Sequence, residues 1–110
     1  MSYIRENLRK PLRSHIDYNK YFPQDIVGSN IDFIIERHGE FLVVEFKGKY
    51  EKLPEGQRIL LKALARMPNF TVLLYSGEDT FKLPDFEQIG YTHSKFIDII
   101  RTWMRERGLR

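Results

Sequence analysis

The stretch NIDFIIERHGEFLVVEFKG, residues 30–48, constrains the fold more than any other part of the chain. Two runs rich in Ile, Val and Phe, 31–37 and 40–47, flank the dipeptide His38-Gly39 and read as the strands of a β-hairpin. His-Gly is a weaker turn signal than Asn-Gly, but histidine enters the left-handed region more readily than most residues. A two-residue loop pairs Arg37 with Glu40, and counting outward sets Asp32 directly opposite Glu45. Side chains opposed in this way have Cβ atoms about 4.5–5.5 Å apart. Carboxylates at that spacing repel, so the register costs stability unless one is protonated or a cation lies between them. Lys47, two residues beyond Glu45, projects from the same face.

The rest of the chain can be arranged around this hairpin. Residues 3–10 suit a short helix with Ile4 and Leu8 on one side, ended or kinked by Pro11. Tyr21, Phe22, Ile26 and Val27 could supply a strand, punctuated by Gly28-Ser29-Asn30. Pro54 suits the first turn of a helix reaching about Met67, with Ile59, Leu60, Ala63, Leu64 and Met67 as its apolar stripe. Residues 70–77, FTVLLYSG, read as a buried strand. Residues 78–91 are ambiguous, a loop with a short edge strand. A last helix starts near Thr92 or Ser94, buries Phe96, Ile97, Ile100, Trp103 and Met104, and ends at Gly108. The resulting order, α-β-β-β-α-β-α, is an α/β fold with a mixed sheet flanked by helices, a single domain over 1–110.

Composition supports a folded chain. Of 110 residues, 42% are hydrophobic and 14% aromatic, enough for one core. No apolar run approaches the roughly 20 residues of a membrane span, and charge interrupts Met1-Ser2-Tyr3-Ile4-Arg5-Glu6 before any signal-peptide core forms. The absence of cysteine excludes disulfide and thiolate chemistry and fits a cytoplasmic location. The net charge of +3 leans weakly toward polyanionic partners.

An Asp, a Glu and a Lys converging at one end of a hairpin suit a hard divalent cation. Mg²⁺ typically takes one or two carboxylates, with water and phosphate oxygens completing its shell. A neighbouring lysine can orient a water or offset charge on a phosphoryl transition state. Taken alone, Glu-x-Lys on a strand is common on solvated faces; the opposed Asp makes the pattern more specific.

Asp32, then Glu45-Phe46-Lys47, then Gln57 on the next helix together resemble the PD-(D/E)XK nuclease superfamily, whose fold is restriction-endonuclease-like. The likeness covers about residues 26–76 and is nearest in look to small stand-alone members. These are the archaeal-type Holliday-junction resolvases and the VRR-NUC nucleases of phages and repair enzymes. The resemblance implies that Asp32 and Glu45 hold the catalytic metal, Mg²⁺ with Mn²⁺ able to substitute, with the Phe46 carbonyl as a further candidate ligand. It implies that Lys47 positions the attacking water and that Gln57 hydrogen-bonds near that water or the scissile phosphate. It further implies a metal-dependent endonuclease on DNA, RNA not being excluded, that works as a homodimer. Junction, flap, nicked duplex and single strand all stay open as substrates.

The pattern departs from the family in two places. No Pro precedes Asp32, and the Glu that many members add from the first helix has only Glu6 as its candidate by position, with Asp17 and Asp25 behind it. His15, His38 and His93 lack metal-ligand spacing. Basic residues crowd three places: Arg58, Lys62 and Arg66; Arg5, Arg9, Lys10 and Arg13; and Arg101, Arg105, Arg107 and Arg110. Each set could neutralise phosphates or form an ordinary solvated face. Gly28-Ser29-Asn30 could approach a phosphate through backbone N–H groups or be a plain turn. The alternative function is a non-catalytic nuclease-fold module that binds nucleic acid or a protein partner. An α/β scaffold with accidental charges would follow if Asp32 and Glu45 faced opposite sides of the sheet.

Overall fold

A computed structural model describes residues 31–108. The proposed first helix, the strand near 21–27, the glycine turn at 28–30, and Glu6, Asp17, Asp25 and His15 lie outside these residues, as do Arg5, Arg9, Lys10, Arg13 and Arg110. The described elements are β1 (Phe33–Arg37), β2 (Glu40–Lys47), α1 (Glu55–Ala65), β3 (Phe70–Ser76), β4 (Asp79–Lys82), β5 (Glu87–Gly90) and α2 (His93–Glu106). They form an α/β fold around one five-stranded mixed sheet in the order β1-β2-β3-β4-β5. Only β2 and β3 run parallel, as the α1 crossover between them requires; the other neighbours are antiparallel.

The hairpin forms in the expected register, with Arg37 opposite Glu40 and Phe33 opposite Val44. Its turn has positive φ at both residues, 53° at His38 and 81° at Gly39, as a tight turn matched to strand twist demands. Glu36 Oε2 accepts a hydrogen bond from Gly39 N (2.7 Å) and holds it in place.

Alternation along the central strands sorts side chains onto two faces. Leu42, Val44 and Leu73 pack with Phe96 and Trp103 of α2. Val43, Val72 and Leu74 pack with Leu61 of α1 and with Leu83. The α2 helix matches expectation. The Thr92 hydroxyl caps it by accepting from Lys95 N (3.0 Å), and Gly108, at φ 80°, follows its end.

Three expectations need correction. The α1 stripe is rotated: Leu61, Leu64 and Ala65 turn to the sheet, while Ile59, Ala63 and Met67 are exposed. Gln57, one turn before Leu61, sits on the buried side, and its bond to Glu45 holds the helix in that phase. Helical residues begin at Glu55, after Pro54, and end at Ala65. Residues 78–91 hold two strands, β4 and β5, so the described order is β-β-α-β-β-β-α. Gly77, at φ 63°, belongs to the β3–β4 turn and not to β3.

Candidate functional site

The odd-numbered residues of β2 face α1, so Val43, Glu45 and Lys47 share that side. At the start of the strand this face is apolar; at its C-terminal end it carries charge. The hairpin register continued one step past Phe33 sets Asp32 opposite Glu45, on the same face. Asp32 Oδ2 accepts a hydrogen bond from Phe46 N (2.9 Å), which ties it to β2 next to Glu45.

Glu45 is only 2% exposed. It lies beside Leu74 of β3 and under α1, where Gln57 Nε2 donates to its Oε2 (2.6 Å). Lys47 Nζ is 3.6 Å from the same oxygen. The other oxygen, Oε1, is buried without a hydrogen-bond partner among the described residues. Burial, and then the Asp32 carboxylate, push the Glu45 carboxyl above its ordinary range, while Lys47 pulls the other way. A buried carboxylate with a bare oxygen and a second carboxylate beside it is the arrangement that a cation would relieve.

Lys47 is also 3.7 Å from Glu51 Oε2. Glu51 was not singled out from the sequence. Its signal was the Gly48-x-x-Glu51 spacing, which lets Glu51 Oε1 accept from Gly48 N (2.9 Å) and close the turn that follows β2. Asp32, Glu45, Lys47 and Gln57 thus come together. No third His, Cys, Asp or Glu joins the two carboxylates in a metal-holding group among the described residues.

The basic stripes divide. Arg58 is held in a two-bonded pair with Glu55 (2.9 and 2.6 Å), while Lys62 and Arg66 have no ion pair among the described residues. Arg101 and Arg105 lie on α2 and Arg107 follows its end, across the sheet from Glu45. Arg107 is committed to the Trp103 ring, with its guanidinium carbon 4.4 Å from the ring centroid, and to Glu40 at 3.5 Å. His38 sits in the hairpin turn, and His93 Nδ1 meets the Tyr75 hydroxyl at 2.9 Å, both away from the carboxylates.

The chain matches no family model, no curated protein and no solved structure.

Proposed function

We propose that this chain is a divalent-metal-dependent phosphodiesterase acting on nucleic acid, DNA foremost, with a restriction-endonuclease-like arrangement of its sheet and helices. One observation carries the reading. Glu45 is buried with one oxygen lacking a hydrogen-bond partner among the described residues, beside Asp32 and within reach of Lys47. No packing requirement explains a carboxylate there, since Val or Leu would fill the place at lower cost.

Asp32 and Glu45 would hold Mg²⁺, with Mn²⁺ as a substitute. The ion supplies a polarised phosphate oxygen and an acidified water. Lys47 then orients the attacking water and offsets charge developing on the phosphate. Gln57 spends an N–H on Glu45 Oε2, so it positions the metal-binding carboxylate. We assign the cytoplasm as its location and a homodimer as its working unit, because so small a domain offers little surface to grip a duplex.

The alternative, a nuclease-like module that binds without cutting, is favoured by the absence of a third acid beside the pair among the described residues. Purified protein, tested on branched, linear and single-stranded DNA and on RNA with and without Mg²⁺ or Mn²⁺, separates the two. Metal-dependent products support the enzyme. Binding with no cleavage of any substrate supports the module.

A further inference from the structure

The turn that follows β2 is fixed on two sides. Glu51 N donates to Gly48 O (3.1 Å), closing a four-residue turn, and Glu51 reaches back to Gly48 N and Lys47. From the β3–β4 turn, Gly77 N donates to Lys47 O (3.1 Å), and the Ser76 hydroxyl lies 3.4 Å from Gly48 O. The central residues of this pinned turn are Lys49 and Tyr50.

Tyr50 is 88% exposed, more than any other large apolar or aromatic residue described, and among the described residues its ring meets Lys49 Nζ, 5.5 Å from the centroid. Its ring is not part of either core cluster. The turn therefore holds its backbone rigidly and presents a bare aromatic face beside a cation, a few residues from Glu45 and Lys47. A ring this exposed, on a turn whose backbone is pinned, is open to a planar partner that would stack on it. Lys49 beside the ring supplies positive charge suited to one phosphate, while the neighbouring Glu51 carboxylate is turned to Gly48 N and Lys47. The cavity beside the turn is also lined by Glu78 and Asp79, which disfavour a second phosphate track there.

We propose that Tyr50, with Lys49, is a stacking site for an unpaired nucleobase, so that the substrate is single-stranded nucleic acid or the single-stranded part of a branched one. The inference rests on the nucleic-acid hydrolase reading and deepens it by choosing among substrates. A base packed on the ring face and a phosphate beside Lys49 would register the strand against the carboxylates at the end of β2.

The test compares wild type, Tyr50→Phe and Tyr50→Ala for binding a single-stranded oligonucleotide and a duplex of the same sequence, in EDTA to stop hydrolysis. A 2-aminopurine placed in the single strand reports stacking by its loss of fluorescence. Tyr50→Ala should weaken single-strand binding about 5- to 100-fold and abolish the quenching. Tyr50→Phe should keep both, and duplex binding should change little. With Mg²⁺ present, Tyr50→Ala should raise KM for single-stranded substrate with kcat nearly unchanged. Because the ring is solvated, a thermal melt of Tyr50→Ala should match wild type. If wild type binds or cuts nucleic acid and Tyr50→Ala does so equally well, or loses single strand and duplex alike, the stacking site is refuted while the hydrolase reading stands. If wild type neither binds nor cuts any nucleic acid, both fall.

Discussion

The two faces of the sheet follow different rules. On the α2 face, Leu42, Val44, Leu73, Phe96 and Trp103 close an apolar layer in which Trp103 Nε1 donates to Thr71 Oγ1 at 3.2 Å, while the buried Thr80 hydroxyl on the same face has no hydrogen-bond partner among the described residues. On the α1 face an equally dry layer around Val43, Val72 and Leu61 gives way to Glu45, a buried acid with one oxygen bare. The same strand builds both. One face buries a hydroxyl among apolar groups; the other buries a carboxylate that packing alone would have replaced.

The largest expected effect tests the α2 face. Trp103→Ala should cost about 3–5 kcal/mol in denaturant melts, the range for emptying a buried aromatic site. A small loss would mean that the two faces are less different than their packing suggests. Next comes Lys47→Ala, which should lower turnover about 100-fold or more while leaving binding of the same substrate largely intact. Equal losses in binding and turnover would make Lys47 one phosphate contact among several.

Glu45 links the acid face to pH. Its folded carboxyl titrates above its ordinary value, so the stability associated with it is fully present below about pH 4.5. That stability is lost as pH rises through the folded value. In EDTA, the melting temperature should fall across the weakly acidic range, and Glu45→Gln should flatten that slope and melt higher at neutral pH. Mg²⁺ should restore part of the loss at neutral pH in wild type and none in Glu45→Gln. A slope unchanged by Glu45→Gln would assign the pH dependence elsewhere. The smallest effect on stability is expected from Asp32→Asn. The amide oxygen can still accept from Phe46 N, and one repelling charge is gone. Metal-free stability should stay within about 1 kcal/mol of wild type or rise, while cleavage collapses. A loss above about 2 kcal/mol would make Asp32 a structural residue.

Much of this contrast was legible in the sequence, for reasons that can be named. The hairpin strands and their register follow from period-two patterning around a turn short enough to count across, and that count alone faces Asp32 with Glu45. The phase of α1 was not legible. Apolar residues surround that helix, so Ile59 and Met67 competed for the stripe, and it takes the packing of Leu61 and the contact between Gln57 and Glu45 to show which side is inward. Residues 78–91 suggested one short edge strand where β4 and β5 both form, because each has four residues, largely polar, and draws its stability from pairing with the neighbouring strand. Glu51 escaped because its value lies in closing a turn and reaching Lys47, neither of which periodicity reports.

The bond between Gln57 and Glu45 also sets a time order. Asp32 and Glu45 meet within one hairpin, a short-range event, whereas Glu45 is desolvated only when α1 docks and β3 pairs alongside β2. A cation that needs the finished pocket therefore has little to grip before the chain has crossed its folding barrier. Its stabilisation should appear as slower unfolding, with the refolding rate nearly unchanged, and chevron plots with and without Mg²⁺ would show it. Mg²⁺ would then act on this protein as a latch, set after the fold has closed and felt chiefly when it tries to open.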